Sequence, residues 1–383
     1  MVLNTGLQDN FDRDSNEDHR ALLALSMVPG VGAGRVRQLI THFGSAQLAL
    51  DAPAKVLKQL KGVGQGLAQA IVTFDGYDAI DEQFQWAERA QATLLPFWHH
   101  GFPAQLDRIY DPPAFLWVRG DINILSTNSI AIVGTRKPSA YGIKAAAYFA
   151  EALSDQGFTI VSGLAYGIDA EAHQTTLKAG GHSVAVLGSG IDRIYPAKHA
   201  GLARDLMLQG AVVSELPLRS KPDAVNFPKR NRIISGLALG TLVVEAFEKG
   251  GALITARLAV EQNREVFAVP GSMFHATAGG CHALIKMGQA KLVCQVDDIL
   301  EELGEHVTGA NGQALSRATQ QIDLSGLGTV EKRLYDVLST DPVQIDVICR
   351  EAGLDVSTAL VYLLSLEFKG LVFQLAGKQF YRA

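Results

Sequence analysis

Between about residues 120 and 300 the chain alternates two apolar patterns. Short β-branched runs, SIAIV (129–133), FTIV (158–161), SVAVL (183–187), AVVSE (211–215), TLVVEA (241–246) and EVFAV (265–269), are separated by segments with helical spacing, such as IKAAAYFAEALSDQ and ALITARLAVEQ. Near-continuous apolar runs of this length suit strands buried on both faces. Strand and helix in alternation predict a parallel sheet with helices on each side. The expected fold class is therefore α/β, a Rossmann-like parallel sheet covered on both faces, over residues 120–305.

The flanks follow other patterns. Residues 20–110 read as helical and contain a repeat. GVGAGRVRQLI (Gly30 to Ile40) and GVGQGLAQAIV (Gly62 to Val72) share G-V-G-x-G followed by a helix-period segment. Closely spaced glycines permit a tight interhelical turn with positive φ. The repeat resembles the helix-hairpin-helix motif of small SAM-like helical domains. In such hairpins Gly30, Gly32 and Gly34, or Gly62, Gly64 and Gly66, can bring backbone N–H groups to a phosphate, although the same turns also serve as packing units. Residues 1–19, with Asp9, Asp12, Asp14, Glu17 and Asp18 against Arg13, read as a disordered acidic tail. Residues 306–329 are small, polar and aperiodic, the pattern of a linker. Over residues 330–383, three short helical segments, LVFQL, a turn at Ala376-Gly377 and KQFYRA give the order of a winged helix.

Composition narrows the class. Of 383 residues, 48% are apolar and 19% charged, as in ordinary globular proteins. No apolar run approaches the ~18 residues of a membrane span, and the first residues lack the cation-then-apolar order of a secretory signal. A cytoplasmic protein without membrane contact is expected. Cys281, Cys294 and Cys349 form no CxxC pair, so neither a disulfide framework nor a zinc site is expected. The formal net charge is −5, so any contact with nucleic acid must come from a local patch.

The strand ends supply such a patch. In doubly wound sheets ligands bind in the loops beyond the carboxyl ends of the strands. Here those loops are GTRKPSAYG, with Thr135, Arg136 and Lys137; SGLAYGID, with Ser162, Gly163 and Gly167; GSGIDRIYP; and RSKPDAVNFPKRNR. The last holds Arg219, Lys221, Lys229, Arg230 and Arg232 against Asp223, and Lys144 lies in the helical segment after the first loop. Cations at the start of a helix oppose its dipole, a conflict an anion relieves; a solvated helix end with Phe227 in the core is the alternative. The nucleotide fingerprints are missing. GTRKPSAYG is not G-x-G-x-x-G, FTIVSG has no acid for a ribose, and no G-x-x-x-x-G-K-[ST] occurs, so neither NAD nor ATP is expected as cofactor. Asp169 and His173 stand one helical turn apart without a third ligand, and no metal is expected there.

Taken in order, IAIVGTR, SGLAYGID, GSGIDRIYP, NFPKRNRIISGLA and GGALITA resemble the central domain of the DNA-processing protein A (DprA/Smf) family. The flanks agree, since the family can carry an N-terminal helical domain and a C-terminal winged helix. The resemblance implies a non-enzymatic protein that binds single-stranded DNA, forms a homodimer and helps load the RecA recombinase during natural transformation. It also implies an anion pocket of Gly134, Thr135 and Arg136, with Lys137 beside them and Gly163 from the second loop. Phe227, Lys229, Arg230, Asn231 and Arg232 extend it. Two segments depart from the family pattern. Gly250-Gly251-Ala252-Leu253 replaces S-G-S-L and loses small hydroxyls, and Gly280-Cys281-His282 replaces G-C-N, exchanging an amide for an imidazole.

A single strand needs cations for its phosphates and π-faces for its bases, and Phe227 stands within six residues of three cations. About four neutralised phosphates would give a log K against log salt slope of about −3. Two other readings remain. Rossmann-like nucleotide phosphoribohydrolases use similar loops with an assisting Glu, a part open to Glu245, but their P-G-G-x-G-T signature is absent. A duplex-binding transcription factor would read DNA through its winged helix. Here the third helix of that domain, VSTALVYLLSLEFKG, carries only Glu367 and Lys369 as charges, which favours a partner-binding or structural role.

Overall fold

The computed structural model describes residues 15–304, 328–339, 343–369, 371–375 and 379–382. The expected linker before Gly328, the turn at Ala376-Gly377 and residues 1–14 of the acidic tail lie outside the described residues. The described chain divides into two units, on either side of residues 312 and 313.

In the first unit β1 (Thr93–Pro96), β2 (Phe115–Gly120), β3 (Ser129–Val133), β4 (Thr159–Ser162), β5 (Ser183–Val186), β6 (Gly210–Ser214), β7 (Gly240–Val243), β8 (Glu265–Ala268) and β9 (Lys291–Leu292) form one sheet. Its order is β1-β2-β6-β5-β4-β3-β7-β8-β9. From β6 through β9 all neighbours are parallel, while β1 and β2 add an antiparallel edge. The six expected strands are all present, in the α/β architecture expected. Side chains alternate faces as the pleat requires. Ile130 and Ile132 of β3 pack with Phe149 and Leu153 of the helix Ala140–Asp155. Ala131 and Val133 face the opposite layer, built on the helices Asn226–Leu237 and Ala252–Glu261.

The sheet reaches further back than residue 120. β1 and β2 lie before it, β1 inside the stretch read as helical. Their short runs sit beside Pro96 and Pro112-Pro113, and the antiparallel pairing of Leu94 with Trp117 is a tertiary choice with no local period. The first helix, Asn16–Met27, also starts inside the stretch read as a tail. Ser15 caps it, its Oγ accepting from Asp18 N at 3.2 Å, and the buried Asp18 carboxylate accepts from Gln47 N at 2.9 Å.

Both copies of the glycine repeat form the same turn. Gly30 and Gly62 have φ of 85° and 83°, and Gly32 and Gly64 precede the helices Ala33–Phe43 and Gln65–Val72 without a side-chain cap. Gly34 and Gly66 face open space, and Arg35 ties the hairpins together by donating to Lys61 O at 2.6 Å. The helical layer shares its core with the sheet: Leu22, Leu39, Ile40 and Ile71 join Phe115, Trp117 and Leu187.

The second unit has helices Thr329–Val337, Ile345–Ala352 and Val356–Phe368 and a sheet of β10 (Val343–Gln344), β11 (Val372–Leu375) and β12 (Gln379–Arg382) in the order β10-β12-β11. This is a winged helix around Leu334, Ile348, Leu363, Leu366 and Phe380. Glu331 accepts from Gly328 N at 2.9 Å, Ser365 Oγ at 2.7 Å and Lys369 Nζ at 2.7 Å. These donors hold its carboxyl down at about 2, Lys369 contributing most. Lys369 is thus engaged, and the third helix shows Val361 and Leu364 to solvent.

Candidate nucleic-acid interface

The strand order places a switch between β3 and β7. From β3 the chain builds outward through β4, β5 and β6, then crosses back to β7, β8 and β9. The helices following β3 and β7 therefore leave on opposite faces and the loops above them diverge, opening a crevice at the carboxyl ends. A cavity of about 680 Å³ occupies that place. It takes Gly134, Thr135, Arg136 and Lys137 from the loop after β3, Asp169 from the segment after β4 and Tyr195 from that after β5. Phe227, Arg230 and Asn231 come from the segment after β6, and Phe247, Gly250 and Gly251 from that after β7.

Two helices point their N-termini into it. Asn226–Leu237 and Ala252–Glu261 both lack a side-chain N-cap and an acid in the first turn; Asp223, just ahead of the first, accepts from Val225 N at 3.4 Å, while the positive end of the second dipole faces the cavity without an acid. Arg136 and Lys137 are exposed, and among the described residues neither side chain has a hydrogen bond or an acidic partner. The Arg136 guanidinium lies 5.9 Å from the centre of the Phe227 ring, with Tyr195 tilted against the same ring at 5.6 Å. Phe227 seats over Gly188, where a Cβ would come within 2.7 Å of its Cδ1.

The helical period sorts the basic run. Phe227, Arg230, Asn231 and Ile234 are spaced i, i+3, i+4 and i+7 and line the cavity; Lys229 and Arg232 project elsewhere. Arg232 pairs with Glu215, and its Nε lies 3.4 Å from Asp111. Burial pushes the Glu215 carboxyl up, with Arg232 opposing. Lys229 is exposed near the same Glu215. Arg219 stacks on Trp86 of the helical layer, 4.1 Å from its ring centre. Of the five cations in the run only Arg230 lines the cavity, and it is 5% exposed. It donates to Gly163 O at 2.8 Å and to Val186 O. Burial pulls its guanidinium down to about 10, Asp169 opposing and Arg136 adding to the fall.

Gly163 forms the seat for Arg230 rather than part of the lining: a Cβ there would stand 2.6 Å from the guanidinium nitrogens. Its N–H donates to Asp169 Oδ2 at 3.2 Å, as that of Ala165 does at 3.3 Å. Burial raises the Asp169 carboxyl, with Arg230 the largest opposing influence. His173 is fully buried behind it. Since Ser183 Oγ donates to Ile160 O at 2.7 Å, it accepts from His173 Nδ1–H at 2.7 Å. Nε2 then carries the lone pair and has no partner, and burial, His199 and Arg230 push the imidazole down to about 3. No group of three or more His, Cys, Asp or Glu side chains among the described residues is arranged to hold a metal.

Glu245 does not reach the cavity. Its buried carboxylate accepts from Ser139 N at 2.8 Å, Ser139 Oγ at 2.7 Å and Thr277 Oγ1 at 3.1 Å, anchoring the start of the helix Ala140–Asp155. The departure at Gly250-Gly251-Ala252 lies in the lining, whereas His282 is outside it and bonds Gly271 O at 3.0 Å. Tyr195 and Phe247, 43% and 42% exposed, also line the cavity, although no charge or glycine pattern in the sequence singles them out. Only their place one loop beyond a strand end marked them. Among the described residues no helix is long and apolar enough to cross a membrane.

Comparison with known proteins decides the family. Residues 93–304 match the model described as DNA recombination-mediator protein A, and residues 319–378 match the DprA winged helix domain. The chain belongs to the DNA recombination-mediator protein A family. Protein Smf of Escherichia coli is 39% identical over 341 residues, 88% of this chain and 89% of that protein. The X-ray structure of DprA from Streptococcus pneumoniae superposes with a TM-score of 0.66 at 31% identity, covering 75% of this chain and 98% of that one. DprA from Helicobacter pylori, described by its title as having a unique single-stranded DNA binding mode, gives a TM-score of 0.52 at 27% identity over 57% of this chain and 97% of that one. The match to the DprA model takes in the whole crevice, from the loop after β3 to that after β7.

Proposed function

We propose that this chain binds single-stranded DNA without sequence preference in the cavity at the strand ends, and acts as a non-catalytic recombination mediator. In that role it works as a homodimer and helps load RecA onto strands entering by natural transformation. The observation that carries the binding site is the unpartnered Arg136 guanidinium beside the Phe227 ring, at the mouth of two uncapped helix N-termini. Cations and dipole ends attract phosphates, and Phe227, Tyr195 and Phe247 offer faces to bases. Neither reads sequence. The strand-binding relative from Helicobacter pylori supports the same ligand; the RecA and dimer parts rest on family membership. The winged helix adds no support for a duplex reader, since Val361 and Leu364 stand exposed on its third helix.

The cavity also sets a number. Arg136 and Lys137 are the exposed cations of the lining, Arg230 being spent on Gly163 O and Val186 O, so about two phosphates are met and log K for a single strand should fall with log salt at a slope of about −1.4. This is shallower than the −3 expected for about four phosphates, because Lys229 and Arg232 project elsewhere and Arg230 is buried. Titrating a single strand and a duplex of equal length across a salt series checks it. A single-strand preference with that slope is expected; a preference for the duplex, or salt-insensitive binding, contradicts the reading.

A further inference from the structure

A second groove, of about 610 Å³, shares Arg136 and Lys137 with the cavity but is otherwise built from different residues, among them Ile143, Tyr166, Glu171 and Gln174. It opens over the helices Ala140–Asp155 and Ile168–Lys178, which cover the face of the sheet opposite to the helices that build the cavity. The Arg136-Lys137 segment, at the end of the central strand β3, is therefore a ridge between two concave sites.

Tyr166 is the aromatic of this groove. It is 42% exposed and stands edge-on to His199, with ring centres 5.0 Å apart and planes at 72°. His199 is itself fixed, Nδ1 donating to Leu164 O at 2.8 Å. The ring is thus braced at its edge, while nearby Ile143 is also exposed. The acid in the groove, Glu171, accepts from Thr175 Oγ1 at 3.2 Å on its own helix.

We infer that this groove is a second nucleotide subsite: a strand seated in the cavity crosses the Arg136-Lys137 ridge, and its next base stacks on Tyr166. The inference rests on the single-strand reading and adds the path of the strand. Continuity argues for this occupant, because the same two unpartnered cations border both sites and a phosphate lying on them leaves one base on either side. Stacking on an aromatic ring tolerates any base, in keeping with binding that reads no sequence.

The test is affinity for oligothymidylates of increasing length, measured by fluorescence anisotropy for the wild type, Tyr166→Ala and Tyr166→Phe. The shortest strands that bind fill the cavity alone, and Tyr166→Ala should leave them unchanged. Longer strands should lose about tenfold with Tyr166→Ala and nothing with Tyr166→Phe. In Tyr166→Trp, indole fluorescence should be quenched by the longer strands only. No loss at any length, or an equal loss at every length, overturns the inference and leaves the groove to another partner such as a protein segment. A wild type that binds no single strand at any length removes the proposed function itself, so the two failures are distinguishable.

Discussion

Arg230→Ala is expected to lower the free energy of unfolding by about 3–5 kcal/mol, the range for removing one member of a buried charged set. Arg230 bridges the ends of two neighbouring strands through Gly163 O and Val186 O and offsets the charge of the buried Asp169. Without it those carbonyls lose their donor, and the buried Asp169 is left with the Gly163 and Ala165 N–H groups and the Ser162 hydroxyl. Denaturant unfolding measures this, and the double variant Arg230→Ala with Asp169→Asn separates its parts. Removing the stranded charge should recover part of the loss, so the double variant should be more stable than the sum of the single changes implies. An Arg230→Ala midpoint equal to wild type would mean that the residue serves the ligand alone.

The second large effect is on acid stability. His173 folds as a neutral imidazole held at about 3, against an ordinary value of 6.5. Below about pH 6.5 the unfolded chain takes up a proton that the folded one refuses, so stability is fully present above that pH and is lost as pH falls towards 3. Over the whole interval this amounts to roughly 5 kcal/mol. Asp169 works in the opposite sense: its raised carboxyl is protonated first in the folded state, which favours folding as pH falls. In His173→Gln, whose amide can still donate to Ser183, the decline between pH 6.5 and 4 should flatten. An unchanged pH profile would show that the imidazole is protonated in the fold, contrary to its surroundings.

These two residues also show what the sequence revealed. The parallel core was legible because β3 to β8 are apolar runs bounded by glycine-rich loops, a local signal. The edge was not: β9 is two residues long, and β1 and β2 find partners across the chain. At the crevice, composition pointed to NFPKRNR but could not apportion its charges. Arg230 and Asn231 line the cavity while Lys229 and Arg232 do not, a result of helix phase and of Glu215 lying close by. His173 and Asp169 looked like a pair at ligand spacing, yet His173 turns to Ser183 and Asp169 to backbone N–H groups. Glu245 stands two residues beyond the end of β7, where a catalytic acid would be placed, and is instead held by Ser139 and Thr277. For Glu245 the deciding partners, Ser139 and Thr277, are distant in sequence; for Asp169 and His173 they are near in sequence, and only the folded turn and strand bring them into reach.

The central claim is that a single strand is held at the Arg136 ridge. Its most direct test is the salt slope of single-strand affinity for wild type, Arg136→Ala and Lys229→Ala. Arg136→Ala should weaken binding about tenfold at low salt and make the slope shallower by about 0.7, the share of one phosphate. Lys229→Ala, exposed in the same basic run but outside the cavity lining, should leave the slope unchanged. Strong binding with a slope indifferent to Arg136 and reduced by Lys229→Ala would move the strand off the crevice and contradict this account.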